Sequence, residues 1–496
     1  MLFSVGWKTL VEPRPFWAHY YDPEAIYFFE GFRLLAGDSP RWVDNPGTPV
    51  QMLSAALVLL TGRSPLAFDA FRGLGYGLYV ALFILSVHGL LRGPLAESSF
   101  AAKLLAVWTW CLAPAALEYD TVLSPEMFVF PVGTLLLLTV PGRDPRVRPA
   151  LGYLALGAVC GLALTVKFTF LPLVAGVGGL AVLVGAGEGL GRWRRAGLAA
   201  LGTALGFALA SIPAAADYPR MFKLTGQMMG HSGEYGTGRA GFPGLEEVLA
   251  NLARAISGAK VWWLWMFLLG ALAAYRWSTR RPRFDRYSIS LLLGGAAALL
   301  LGLAMAHRHY AGRYVLPAGF GAIALCAGVV RSWGPRWRVH LKVALVAAVG
   351  ILVWKQVAFD LGNHRTRMLQ AVSTRNQLER ASAEACGGHK GIRVFGGRAP
   401  IPSFALRIMT TDKELFRQIE TIYPREGHVD WSDTVILPHS AESADLLIVR
   451  ERDAERILRK NGLRGNSVRR VGDYSVIRLA SEAQRQRCSD SGRGTG

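Results

Sequence analysis

Up to about Phe359 the chain is written in long apolar runs cut by short arginine-rich connections, and from Asp360 onward charged residues are spread evenly with no long apolar run. A helix crossing the hydrocarbon core of a bilayer needs roughly 20 mostly apolar residues. The runs Gly73 to Leu91, Leu151 to Val166, Phe168 to Ala186, Gly197 to Ile212, Val261 to Tyr275, Ser288 to Ala306, Val315 to Val330 and Val339 to Phe359 meet that need. Two shorter runs, Leu104 to Leu117 and Met127 to Val140, predict a hairpin of abbreviated helices. Backbone in lipid must satisfy its own hydrogen bonds, so these runs predict helices rather than open strands. The pattern gives a multi-spanning α-helical membrane protein, with about ten helices over residues 73–359. A segment 1–72, expected as a first outer loop with juxtamembrane helices, precedes them, a small α/β domain is expected over 360–480, and 481–496 reads as a disordered Arg/Ser/Gly-rich tail.

Orientation follows from lysine and arginine, which short cytoplasmic loops retain. The connections 142–149, 189–195, 276–286 and 331–338 are basic and fall on every second turn of the chain. The other connections, 118–126, the turn at Lys167, 217–260 and 307–313, are then expected on the extracytoplasmic side, together with residues 1–72 and the C-terminal domain. The stretch before Tyr20 is too short, and too broken by Pro13 and Pro15, to cross a bilayer, and it lacks the charged leader and apolar core of a signal peptide. The topology therefore leads us to expect a further spanning helix upstream of Met1.

Composition sharpens this picture in one respect. The 496 residues are 51% hydrophobic and 18% charged, and a mean hydropathy of only +0.27 averages over two physical environments. The net charge of +20 would fit a nucleic-acid partner, but the arginines sit in the basic connections and scatter over the tail, where membrane topology accounts for them.

Carboxylates gather on the predicted outer side. Asp22, Glu24 and Glu30 lie in the first segment, and Glu118, Asp120 and Glu126 lie between the two abbreviated helices, whose shortness would recess their connecting loop. Each set can also be read as solvated loop charge. Lys167 stands alone between two apolar runs, where a lysine either snorkels to the headgroups or has an anionic partner. His307, Arg308, His309 and Arg313 form a basic cluster that the orientation rule disfavours outside, which points to an anionic ligand as against an ordinary interfacial loop. No cysteine or histidine spacing indicates zinc. The acidic residues could hold a divalent cation without requiring one.

These residues carry a resemblance. Asp22-Pro23-Glu24-Ala25-Ile26-Tyr27 resembles the acidic first-loop motif of the GT-C superfamily of polyprenyl-phosphate-sugar-dependent glycosyltransferases, which includes protein O-mannosyltransferases and the lipid A aminoarabinose transferase. Asn45-Pro46-Gly47-Thr48-Pro49 stands where many members have His-Pro-Pro, with Asn45 in place of the histidine. Ser124-Pro125-Glu126 is similar to the second-loop motif, Gly161 to Lys167 to a Gly-Leu-Ala…Thr-Lys segment, and Arg313 to Pro317 to a late Arg-Tyr-Leu-Leu-Pro run. The resemblance implies transfer of a sugar from a lipid phosphate to an acceptor glycan, lipid or protein, with inversion and no required cofactor. It implies Asp22 or Glu24 as base, with Pro23 turning the backbone so that both face one pocket. Lys167, His307, Arg308, His309 and Arg313 would hold the donor phosphate. Tyr27, Asn45, Glu118, Asp120, Glu126, His231, Tyr235 and Tyr314 would contact substrate, and the glycine-dense stretch around His231 and Tyr235 would be either a connector or a lid over the donor. A transporter or flippase of lipid-linked sugars is the alternative; the absence of a visible inverted repeat and the gathering of polar residues at one face weigh against it. Cys111, Cys160 and Cys326 read as packing residues, while Cys386 and Cys488 could bridge in an oxidising compartment.

Overall fold

A computed structural model describes residues 22–40, 47–61, 67–113, 116, 123–141, 149–184, 190–231, 240–241, 244–279, 286–306, 312–332, 343 and 345–359. It also describes the isolated residues 362, 366, 369 and 455 and the strand residues 392–395, 429–432, 446–450, 465–471 and 474–479. The chain divides into two compact units. One holds residues 1–6, 30–60 and 70–361, and the other holds residues 7–29, 61–69 and 362–496.

The larger unit is helical. In chain order it contains α1 (Asp22–Leu35, whose first turns belong to the second unit), α2 (Thr48–Thr61), α3 (Ala67–Arg92) and α4 (Phe100–Cys111). A 3₁₀ turn over Pro125–Phe128 leads into α5 (Val129–Thr139), followed by α6 (Pro149–Val166) and the composite helix α7 (Phe168–Val184). Then come α8 (Arg192–Ala210), α9 (Tyr218–Gly230), α10 (Leu245–Ser257), α11 (Lys260–Thr279), α12 (Arg286–Ala306), α13 (Gly312–Ser332) and α14 (Leu345–Phe359). Among the described residues four helices are long and apolar enough to cross a membrane, within α3, α6, α12 and α13, and up to six if two bent pairs each count as one span. The helices α2, α4, α5, α7 and α14 are apolar but shorter, which is how this structure differs from a simple count of ten spans.

The bends have local causes. Between α8 and α9 the chain turns by 94° through a 3₁₀ stretch, Ile212–Asp217, where Pro213 interrupts helical hydrogen bonding. The Ser211 hydroxyl lies 2.6 Å from that of Tyr218 and ties the two sides together. Between α10 and α11 the turn is 84°, after Gly258 closes the helix with its N–H on the Arg254 carbonyl, 2.8 Å away.

Helix α13 forms the centre, with 78% of its spanning window buried, whereas only 28% of α3's is. Phe320 of α13 meets Trp110 of α4 and Phe130 of α5 with ring centroids 5.9 and 5.7 Å away, an edge-on aromatic cluster. Small residues set the closest crossings. A Cβ on Gly161 of α6 would fall 2.3 Å from the Thr203 carbonyl of α8, and one on Gly206 of α8 would fall 2.2 Å from the Ala158 carbonyl, so backbone lies against backbone.

The second unit contains a five-stranded mixed sheet in the order β2-β1-β3-β5-β4. Its strands are β1 (Ile392–Phe395), β2 (Val429–Ser432), β3 (Leu446–Arg450), β4 (Gly465–Val471) and β5 (Tyr474–Leu479). β1 runs parallel to both β2 and β3, while β3 with β5 and β4 with β5 are antiparallel. The apolar runs at β1, β3 and β5 are legible in the sequence. β2 and β4 are not, because Asp430 and the Arg469-Arg470 pair with its register shift break the alternation. The helical stretches expected at 413–422 and 454–460 lie outside the described residues except Glu455, as do Cys386 and Cys488.

Candidate functional site

Lys167 stands at the turn where α7 folds back along α6, and Gly178 of α7 packs beside Cys160 of α6. The Lys167 backbone is extended (φ −165°, ψ 135°) between the end of α6 and the 3₁₀ turn Phe168–Phe170 that opens α7. Its N–H still reaches back to the Ala163 carbonyl at 3.1 Å, and its own carbonyl accepts from Phe170 at 3.0 Å, so the turn stays hydrogen-bonded on both sides. The side chain turns inward and is only 3% exposed. A lysine so placed needs an anion.

The anion is Glu126. It sits in the 3₁₀ turn that Pro125 begins, at the N-terminal end of α5, and is also 3% exposed. The Lys167 ammonium donates to Glu126 Oε1 in a short, buried ion pair joining segments 41 residues apart. The ring of Tyr314, in the first turn of α13, stands 5.2 Å from Lys167 Nζ and completes a cation–π contact. The hydroxyl of Thr169, two residues beyond the lysine, is buried without a hydrogen-bond partner.

A fourth strand of chain reaches the same junction. Gly47 has φ 53°, and its N–H donates to the Val166 carbonyl at 3.2 Å. Its own carbonyl accepts from Val50 and Gln51 and so starts α2. Pro317 lacks an N–H, which leaves the Arg313 carbonyl without its helical donor at the head of α13. The junction thus brings together Lys167, Glu126, Tyr314 and the end of the first loop.

The other expected residues fall out differently. Asp22 and Glu24 lie in the first turn of α1, which is helical and not the tight turn expected at Pro23. The side chains of Asp22 and Glu24 lie outside the description. Tyr27 is buried at 8% exposure. Glu30, for which sequence left both a functional and a solvated-loop reading, is 0% exposed, with Arg33 Nε 4.0 Å away and Arg33 in turn bonded to the Ser39 carbonyl at 3.3 Å. The spacing of Glu30 and Arg33, i to i+3, was the available signal once that stretch is taken as helix. His231 caps the end of α9 and is bridged to Ala240. Arg313 belongs to α13, its side chain lying outside the description. Asn45, Glu118, Asp120, Tyr235, His307, Arg308 and His309 lie outside the described residues. No group of three or more His, Cys, Asp or Glu that could hold a metal ion occurs among the described residues.

No family model matches the chain, and no curated protein does. Two solved structures are similar. ArnT from Cupriavidus metallidurans bound to undecaprenyl phosphate shares 16% identity over 96% of this chain and 97% of its own, with a TM-score of 0.50. The apo state of that protein shares 17% identity over 92% and 93%, with a TM-score of 0.51. Nearly whole-chain coverage at so low an identity is a likeness of fold, and the chain is accordingly a multi-pass helical membrane protein built on the same overall plan as ArnT.

Proposed function

We propose that the protein is a membrane glycosyltransferase that moves a sugar from a polyprenyl phosphate to an acceptor on the extracytoplasmic face. The observation that carries this reading is the buried Lys167–Glu126 pair under Tyr314, at the turn between α6 and α7, in a fold like that of a protein that binds undecaprenyl phosphate. An ammonium has three donors. We assign Lys167, bonded to Glu126, as one cation toward the phosphate, with Arg313 one residue from Tyr314 as a second.

In the reaction the acceptor oxygen or nitrogen attacks the anomeric carbon from the face opposite the phosphate. The bond from that carbon to the phosphate oxygen breaks, its electron pair leaves on the lipid phosphate, and the acceptor's proton passes to a carboxylate. Asp22 is the first choice for that base and Glu24 the second. Fixed cations where the phosphate charge develops supply the electrostatic part of the acceleration. No metal ion is needed in this scheme.

The test is transfer from a panel of radiolabelled polyprenyl-phosphate sugars in membranes with matched amounts of wild type, Asp22→Asn and Lys167→Ala. Wild type should transfer from one donor, and Asp22→Asn should fall by roughly 10²- to 10⁴-fold. Undiminished transfer in Asp22→Asn would remove it as base, and the absence of transfer from every donor would favour the transporter or flippase.

A further inference from the structure

We propose that α10 lies flat in the membrane–water interface, with one edge among lipid acyl chains. The helix has three separate faces. At about 100° per residue, Leu245, Leu249 and Ile256 fall within about 40° of one another, and they are 75%, 57% and 50% exposed. Asn251 and Ala255 form a second face, buried against the protein. Glu246, Glu247, Arg254 and Ser257 form the third together with Ala250, and all are exposed. An exposed leucine edge beside a mainly polar face is unfavourable for a helix surrounded by water. It fits one that floats at a boundary.

Its direction agrees. The 84° bend sets α10 across the axis of α11, which carries the apolar run into the membrane, so α10 runs along the bilayer surface. Trp262 and Trp263 stand at the corner with ring centroids 4.7 Å apart, and tryptophan is enriched at interfacial depth. The Trp263 indole N–H donates to the Ala255 carbonyl at 3.1 Å, which satisfies a last-turn acceptor of α10 and fixes the corner. The occupant of the leucine edge is thus the upper acyl region of the leaflet into which α11 descends. The connector or lid expected from sequence concerns the glycine-dense stretch around His231 and Tyr235 that precedes α10; the surface helix is a separate role and does not depend on the proposed activity.

The experiment places an environment-sensitive fluorescent amino acid, by amber suppression in the full chain, in place of Leu249, of Glu247 or of Phe267, the last being 73% exposed on α11. Each protein is reconstituted in nanodiscs whose lipids are brominated either near the headgroup or near the chain end. At 249 the emission should be blue-shifted and quenched at least about threefold more by shallow than by deep bromines, at 247 it should be water-like, and at 267 deep quenching should dominate. Water-like emission at both 249 and 247, with 267 behaving as stated, overturns the proposal by showing α10 clear of the membrane. Deep quenching at 249 overturns it by showing that α10 enters the core.

Discussion

Lys167 and Glu126 set the energetics of the junction. Both are buried, so each is tolerable only because the other is there. Removing one partner alone, as in Lys167→Met, is expected to lower stability by about 3–5 kcal/mol, because the glutamate is left charged and unpaired. The double variant Lys167→Met with Glu126→Leu is expected to regain most of that loss, since an apolar pair of similar volume is often neutral in such a place. Unfolding in detergent measures both. If the double variant is as unstable as the single, the pair is not what couples these segments. A folded double variant that no longer transfers sugar would further separate the site's charge from its role in folding. The lysine was legible in the sequence because a lone cation between apolar runs has few explanations. Its pairing was harder to see, since nothing local links residues 41 apart, and Glu126 stood out in sequence as part of the Ser124-Pro125-Glu126 motif and not as a partner of the lysine.

Between elements, glycine placement decides how close helices come. Gly161 belongs to the Gly-Leu-Ala…Thr-Lys segment that resembles a family motif, and its part in the structure is steric, where α6 meets α8. Gly161→Ala would drive a methyl group into the Thr203 carbonyl and the Phe207 N–H, and is expected to destabilise by about 1–3 kcal/mol. Gly197→Ala on the same helix pair meets nothing within 4 Å, so it is expected to be neutral or to stabilise by about 0.5–1 kcal/mol. Equal melting temperatures for the two variants would refute the close crossing. The strongly apolar helices α3, α6, α12 and α13 were legible from run length alone. α9 was not, because its run mixes Arg220, Lys223 and Gln227 with Met221 and Phe222, which reads as loop until the right-angle bend shows a helix with a packed side. α2 falls in the segment where juxtamembrane helices were expected, but its apolar run is too short to be counted as a span and its bounds were not legible.

At the level of the whole molecule, the basic connections give an expected orientation that can be checked without any assay of activity. Ser257 and Ser278 bracket α11. Alkaline phosphatase fused after Ser257 is expected to be active, and after Ser278 inactive, with green fluorescent protein giving the reverse pattern. The opposite result would turn the molecule over and place the Lys167 junction at the cytoplasmic face. The hydrophobic pattern made the membrane unit readable because lipid imposes one rule on every span. The second unit obeys no such rule, and only strands with clean alternation could be seen in advance.

Helix α7 carries one further consequence. It changes from 3₁₀ to α, then to a π turn over Val174–Gly179, and returns to α over Leu180–Val184. A π turn holds one residue more than the α turn it replaces, and here it sits where Gly176 passes within reach of the Gly294 carbonyl and the Ala298 N–H of α12. Elsewhere in these helices, gaining or losing a residue rotates everything beyond it by about 100° and scrambles which side faces lipid. Within this turn the surplus residue is already absorbed, so removal of a single residue here is expected to leave both flanks of α7 in register.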